Sequence, residues 1–453
     1  MKKFFGFLLS LLGLSLMMPM PAVQHQSFVI SLLWVSVVIS AIVGGRRLRK
    51  WNDPAQCGSV NISIGNGNLG SALQTNDGVV GMVLTGSTGD SYTLGTPILL
   101  TSYAEALVGD NALTVGNNAF ALRQISDFYS QPGTNGAELY VMLVADTMTV
   151  TNMCDLTNSN GAIKLLNYAG GAIKVLGCMS DDTLVTVASI TAGINPSCYT
   201  AIVKMQALAT QFQAAQKPFR GIIGATSYDG TVGSLTAINS GTTNNRVQML
   251  LGDIEAPTGY SGGTAACLGF ELGLLAVLPV QRKISRVKNG PLSGVTEAYV
   301  GTETVEAAGG DIATIAGKGF VTIQTKPQSS GYFFTGDPMC TATSDDYASM
   351  VNGRVIDKAQ IIAYQVFMQD EDDEVPVAPD GTIDPSYAAS LQNSIDKAFK
   401  TNLVANNNAS GATSVVPLGQ NVVGTGNVAI TLSVQPESYA TNIDITLGLS
   451  ATS

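Results

Sequence analysis

Histidine is almost absent from this 453-residue sequence. The single copy, His25, lies near the start, so the rest of the chain lacks the commonest general base and metal ligand. Charge is scarce as well: 12% of residues are charged, against roughly 25% in an average domain. So low a charge density points to extensive burial, either in a membrane or between subunits. The two tryptophans, Trp34 and Trp51, also fall in the first 51 residues. Six cysteines (Cys57, Cys154, Cys178, Cys198, Cys267 and Cys340) are scattered without C-x-x-C spacing. That pattern argues against a zinc site and for free thiols in a reducing compartment. No H-E-x-x-H, G-x-S-x-G or Walker phrase occurs, and no carboxylate pair stands out. The expectation is a structural protein, not an enzyme, with no cofactor and no metal.

What is abundant is small and apolar. Hydrophobic residues make up 45% of the chain and glycine contributes 49 residues, with Thr, Ser, Asn, Ala and Val filling much of the rest. This is the palette of a β-rich assembly protein. A length of 453 residues accommodates two or three domains. Residues 1–51 carry Lys2, Lys3, Arg46, Arg47, Arg49 and Lys50 and no acid, which leaves the remainder with 17 bases against all 33 acids. An acidic body argues against nucleic-acid binding, which needs a basic footprint.

The N-terminus allows three readings. Lys2-Lys3 and the apolar run behind them resemble a secretory signal ending near Ala22. A second apolar run, Ser27–Gly45, is 19 residues long and ends in Arg46-Arg47-Leu48-Arg49-Lys50. With positive charge flanking both runs, the pair reads equally as a membrane hairpin with cytoplasmic ends. The abrupt change of composition favours the third reading, a misplaced start upstream of a natural N-terminus near Val60. Then comes Asn61–Gly70, NISIGNGNLG, which contains Gly65-x-Gly67-x-x-Gly70 with Asp90 twenty residues later. On paper this is a dinucleotide fingerprint. The segment Ser71–Asp77 is too short for the crossover helix that such a site requires, so a glycine-rich arm is the better reading.

From Val79 the chain alternates strands and helices. Val79–Leu84, Pro97–Leu100 and Leu139–Val144 read as strands. Thr101 or Ser102 caps a short helix with Glu105 in its first turn, and a longer helix over Asn118–Tyr129 places Phe120, Ile125 and Phe128 on one face. Further strands are expected at Ile173–Leu176, Phe219–Gly224, Val247–Leu251 and Phe320–Thr325, and a strand and turn at Tyr332–Asp337. Helices are expected at Cys198–Ala215, Glu303–Ala316 and Tyr387–Leu403. Ala265–Val277 is apolar nearly all round, hence a buried helix too short to span a membrane. Two charge clusters interrupt this pattern: basic Arg282, Lys283, Arg286 and Lys288, and acidic Asp370–Glu374. The acidic run lacks the alternate ligand spacing of a calcium loop. Beyond a polar loop at Ala405–Thr413 the sequence is β-like, with alternation over Val428–Val434 and Asn442–Leu447.

Three phrases carry a family resemblance. They are Pro97-Ile98-Leu99-Leu100-Thr101-Ser102-Tyr103-Ala104-Glu105-Ala106 with Leu139-Tyr140-Val141, the Gly353-Arg354-Val355-Ile356-Asp357 region with its R-x-x-D spacing, and the close from Val434-Gln435-Pro436 through Tyr439 to Ile443-Asp444-Ile445-Thr446-Leu447-Gly448-Leu449. Together they resemble contractile tail sheath proteins of phages and phage-derived injection devices. The resemblance implies an α/β (α+β mixed), multi-domain tail-sheath-like architecture with extended N- and C-terminal β arms. It divides the chain into a hydrophobic double segment (1–58), an N-terminal arm (59–78), an α/β sheath body (79–330), a C-terminal sheath domain (331–427) and a C-terminal β arm (428–453).

The same resemblance implies a structural subunit that polymerises around a tail tube and contracts to drive it through a target envelope. Its implied intersubunit residues are Ile62, Ile64, Gly67 and Leu69 in one arm and Val428, Ile430, Val434, Ile443, Ile445 and Leu447 in the other. Lys397 and Lys400, near the end of the Tyr387–Leu403 helix, become candidate tube contacts. The implied partners are copies of itself in a helical sheath, the tail tube protein, and baseplate and tail terminator proteins. No nucleic acid is expected, and a membrane only if residues 1–45 are genuine. The implied location is a virion tail assembled in the host cytoplasm. The alternative readings are a membrane-anchored or exported surface protein and, less favoured, a dinucleotide-binding enzyme.

Overall fold

The computed structural model describes residues 76–182, 189–241, 243–256, 265–441 and 443–449. The N-terminal double segment, the glycine fingerprint and the arm residues Ile62, Ile64, Gly67 and Leu69 lie outside the described residues.

A six-stranded sheet organises the chain. Its order is β2 (Ile98–Leu100), β3 (Leu139–Ala145), β1 (Val80–Gly86), β4 (Val175–Met179), β5 (Arg220–Gly224) and β7 (Val247–Leu250). All neighbours run parallel except the edge pair β2–β3. Central β1, VGMVLTG, is buried at every position, as a strand covered on both faces must be. Its apolar residues therefore form a run rather than an alternation. The two-residue strand β6 (Thr243–Asn244) pairs instead with β12 (Cys340–Thr341).

Helices α1 (Val115–Tyr129), α2 (Val150–Cys154), α3 (Ala162–Tyr168), α4 (Pro196–Ala214) and α5 (Leu268–Val277) pack around this sheet. The closest helix pair is α1 with α5. On α5, Gly269 and Gly273 stand one turn apart and face α1, where added Cβ atoms would come 1.9 Å from the Gln124 carbonyl oxygen and 2.7 Å from that of Phe128. The Gln124 side chain closes the contact: its Oε1 accepts from Gly269 N at 2.8 Å and its Nε2 donates to Ala266 O at 3.2 Å. Packed against α1 on one side and the sheet on the other, α5 has no polar face. Among the described residues, no helix is long and apolar enough to cross a membrane.

The local expectations hold with specific differences. After β2 the chain makes a 3-10 turn, Tyr103–Leu107, and the cap works backwards: Glu105 accepts from the Thr101 amide and hydroxyl, both at 2.7 Å, while Ser102 makes no side-chain cap. The helix expected over Glu303–Ala316 is only partly formed. Glu303–Thr304 is instead β9, hairpinned to β8 (Tyr299–Val300) through Gly301 at φ +67°, and α6 starts at Gly309 and runs to Gly317. The left-handed glycine reverses the chain where a helix cannot.

Strands β10 (Ile323–Thr325) and β11 (Tyr332–Phe334) form a hairpin. Helix α7 (Met350–Phe367) follows, then α8 (Pro385–Phe399), capped by Asp384 and started by Pro385 at a position where proline costs nothing. Lys400–Val404 adds one π-helical turn. Finally β13 (Gly411–Val415) pairs antiparallel with β14 (Thr431–Gln435), so the expected polar loop over Ala405–Thr413 ends inside a strand.

One large hydrophobic core runs from Val79 to Met350. Two smaller ones lie under the C-terminal elements. The first gathers Val280, Val355, Ile362, Ile395 and Phe399, and the second Ile383, Leu391, Val416 and Val422.

Candidate subunit interface

In α/β folds the turn after the first strand of the sheet, against the following helix, is the usual phosphate site. Here a carboxylate of the chain itself fills it. Asp90 accepts from the Thr114 amide at 2.7 Å, the Thr114 hydroxyl at 2.6 Å, Asn117 Nδ2 at 2.7 Å and Asn118 Nδ2 at 2.6 Å, all at the start of α1. Partial burial opposes ionisation, but these donors outweigh it and hold the carboxyl down to about 2. The acidic residue that follows the fingerprint by twenty positions thus serves as the anion at a helix N-terminus. At the ends of β4 and β5, Asp182 is buried and bonded by Ser180, Asn195, Thr226 and Ser227. Both of these carboxylates at the strand ends are thus taken up by hydrogen bonds within the chain. Among the described residues no group of His, Cys, Asp and Glu is arranged to hold a metal, and the five described cysteines are buried and unbridged.

The chemistry that stands out joins α7 to the sheet. Arg220 opens β5 and is 2% exposed. Its guanidinium clasps Asp357 of α7 at 2.7 and 2.9 Å and donates to Gly353 O at 2.9 Å. Arg246 reaches the same carboxylate at 2.6 and 3.2 Å. Burial, then the neighbouring Arg220, lowers the Arg246 pKa. One turn earlier on α7, Arg354 is buried and donates to the carbonyls of Leu275, Leu278 and Asp77, and Lys358 binds the Asp77 carboxylate at 2.5 Å. Burial pulls the Arg354 pKa down to about 10 against the opposing pull of Asp77. So the R-x-x-D phrase is a clamp: Arg354 holds the end of α5, Asp357 holds β5, and between them they fix α7. Its sequence signal was the spacing alone. Arg220 and Arg246 carried none, because their partner lies more than a hundred residues away.

The C-terminal arm residues divide into two sets. Val428, Ile430 and Val434 are half-buried with Leu432 and pack against the two small cores of their own chain, where β14 lies on β13. Beyond Pro436, Tyr439 docks: its hydroxyl donates to Gln281 O at 2.5 Å and its ring lies 4.9 Å from Lys283 Nζ. After that the chain leaves its own surface. Ile443, Ile445 and Leu447 are 76%, 81% and 94% exposed, and Leu449 is fully exposed. In an extended chain alternate residues share one face, so in that conformation these four side chains would form an apolar stripe. Lys397 and Lys400 are exposed, three residues apart at the C-terminal end of α8, where the helix dipole favours cations.

A groove of about 800 Å³ opens between the basic loop and the docked tail. Arg282, Arg286, Lys288 and Lys326 line it, and among the described residues Glu437 is its single lining carboxylate. The acidic run Asp370–Glu374 is exposed throughout, starting three residues beyond the end of α7.

This fold, a central, mostly parallel sheet with a helical and β-hairpin C-terminal layer, is similar to that of contractile sheath proteins, and the expected strand over Asn442–Leu447 is not formed within the chain. The chain matches the anti-feeding prophage helical sheath in its contracted state at 12% identity and TM-score 0.55, over 88% of this chain and 99% of that one. It matches the sheath of PVC, an extracellular contractile injection system, in the contracted state at 11% identity and TM-score 0.56, over 88% and 98%. A chain of the six-fold symmetrised anti-feeding prophage baseplate matches at 13% identity and TM-score 0.55, over 87% and 99%. No curated protein matches in sequence. Residues 57–337, well over half of the chain, match the family described as DUF2586, N-terminal domain, and the chain belongs to that family.

Proposed function

We propose that this chain is the sheath subunit of a contractile tail, from a phage or a phage-derived injection system. Copies assemble in an extended state around a tail tube, store free energy in metastable contacts, and switch to a wider, shorter packing that drives the tube through a target envelope. The role is mechanical rather than enzymatic. The observation that carries this reading is the exposure of four apolar residues at alternate positions, Ile443, Ile445, Leu447 and Leu449, on a sheath-like fold.

An extended terminal segment with one apolar face is a template for pairing with another chain's sheet edge. Burying each of the four side chains would contribute about 1.5–3 kcal/mol, so about 6–12 kcal/mol gross per arm. A neighbouring copy is the partner that lets such an arm repeat along a helical lattice. The N-terminal arm, with Ile62, Ile64, Gly67 and Leu69, is the natural counterpart. Lys397 and Lys400 are assigned to the tube side, and baseplate and terminator proteins close the two ends of the polymer. In this reading the protein resides in a virion tail and is assembled in the host cytoplasm.

Negative-stain microscopy of the purified full chain tests the proposal. Striated tubes or rings are expected at micromolar concentration. A chain that stays monomeric on concentration and at every salt condition overturns it.

A further inference from the structure

The two charge clusters stand at opposite ends of α7. Asp337 ties the basic loop to the start of that helix: it pairs with Lys283 at 3.1 Å and accepts from Ser349 Oγ at 2.6 Å and Val351 N at 3.3 Å. The acidic run hangs from the other end, where the Asp370 amide donates to Phe367 O at 3.0 Å. The 18 residues of α7 separate them by about 27 Å, so neither cluster can reach the other within one chain.

Apart from Lys283, which Asp337 pairs, neither cluster is neutralised locally. Among the described residues, Arg282, Arg286, Lys288 and Lys326 have no carboxylate within ion-pair distance, and none of Asp370, Glu371, Asp372, Asp373 and Glu374 has a cation. In a chain with 12% charged residues these are conspicuous concentrations of one sign. The groove has the volume to take a short loop rather than a single side chain, and among the described residues that line it five are cationic, Lys283 being already paired with Asp337, against the one carboxylate of Glu437.

We propose that this groove is the docking site for the Asp370–Glu374 loop of a second copy of the chain. The inference rests on the sheath reading, because it supplies one of the contacts along which such a polymer grows. A polyanion such as nucleic acid is disfavoured by the acidic remainder of the surface, whereas a second copy brings one compact acidic loop, opposite in sign to the groove. The contact joins unlike surfaces on the two partners. Such a heterologous contact propagates into rings or open helices instead of closing as a dimer. The pairing is exposed to solvent at its rim, so it sets register and salt dependence more than raw affinity.

Two charge-reversed full-length chains test it. One carries Arg282→Glu, Arg286→Glu and Lys288→Glu; the other carries Asp370→Lys, Asp372→Lys and Asp373→Lys. Circular dichroism first verifies that each folds. Each alone is expected to associate at least about tenfold more weakly than the unmodified chain by sedimentation velocity. An equimolar mixture is expected to recover association, because each chain then offers the sign that the other lacks. Association of the single variants at unmodified strength overturns the pairing while leaving tube formation by the unmodified chain as separate support for the sheath. So does failure of the mixture to recover. Recovery in the mixture without tubes from the unmodified chain would sustain the pairing and sink the sheath reading.

Discussion

Gly269 touches Gln124 so closely that a single added methyl would sit 1.9 Å from the Gln124 carbonyl oxygen. Backbone cannot yield there as a flexible side-chain tip can. Gly269→Ala should therefore force α5 off α1 and destabilise the body by about 3 kcal/mol or more, read as a lower urea midpoint. Gly309→Ala is the control. That glycine opens α6 with nothing near its missing Cβ, so the same substitution should leave stability unchanged or raise it by about 0.4–1 kcal/mol.

Asp357 neutralises two buried arginines at once. Asp357→Asn keeps the shape but leaves Arg220 and Arg246, both buried, without a counter-charge. The expected cost is about 3–5 kcal/mol, and chemical denaturation should show it. Loosening of α7 should appear as faster amide exchange along that helix and along β5, with α1 unaffected.

How much of this was legible beforehand differs by level. Val79–Leu84, Leu139–Val144 and Phe219–Gly224 announce themselves as apolar runs, and the all-round apolar Ala265–Val277 as a buried helix, because burial on both sides leaves no polar face to write into the sequence. The clamp was not legible. An ion pair such as Arg220–Asp357 spans 137 positions and has no period. The Glu303 error has a local cause, since Gly301 adopts a left-handed turn that a propensity reading does not register. The C-terminal arm shows the limit most plainly. Val428–Val434 and Ile443–Leu447 alternate alike, yet only the first meets a strand, Gly411–Val415, and that strand was hidden in a polar stretch.

Glu271 should make stability depend on pH. It sits fully buried on α5, neither carboxylate oxygen has a hydrogen-bond partner, and burial, with a smaller push from Asp337, raises its pKa to about 8. The folded chain keeps this proton up to about pH 8, while the unfolded chain releases it near the ordinary value of 4.5. Stability is therefore lost as pH rises from about 4.5 to about 8 and is level with respect to this group beyond. By pH 7 the loss amounts to about 3 kcal/mol. Glu271→Gln cannot ionise, so it should match the unmodified chain at pH 4 and melt higher at pH 8. A further slope of the same sign should persist from Asp127, which burial, against the opposing pull of Arg123, pushes up to about 7. Equal pH profiles for the two chains would mean that Glu271 is solvated or paired.

The two halves of the C-terminal segment separate folding from assembly. Leu432 and Val434 are half-buried on the core that holds Phe399 and Leu403, so changing both to Ser should lower the melting temperature of the isolated subunit. Ile443, Ile445 and Leu447 touch almost nothing, at 76–94% exposure. Changing all three to Ser should shift subunit stability by no more than about 0.5 kcal/mol. If these residues form the strand lent to a neighbour, the same triple change removes most of the apolar area that the arm buries, and tubes should give way to monomers in the microscope. Unimpaired tubes from that variant, with an unchanged melting temperature, would show that the stripe is not what joins one subunit to the next.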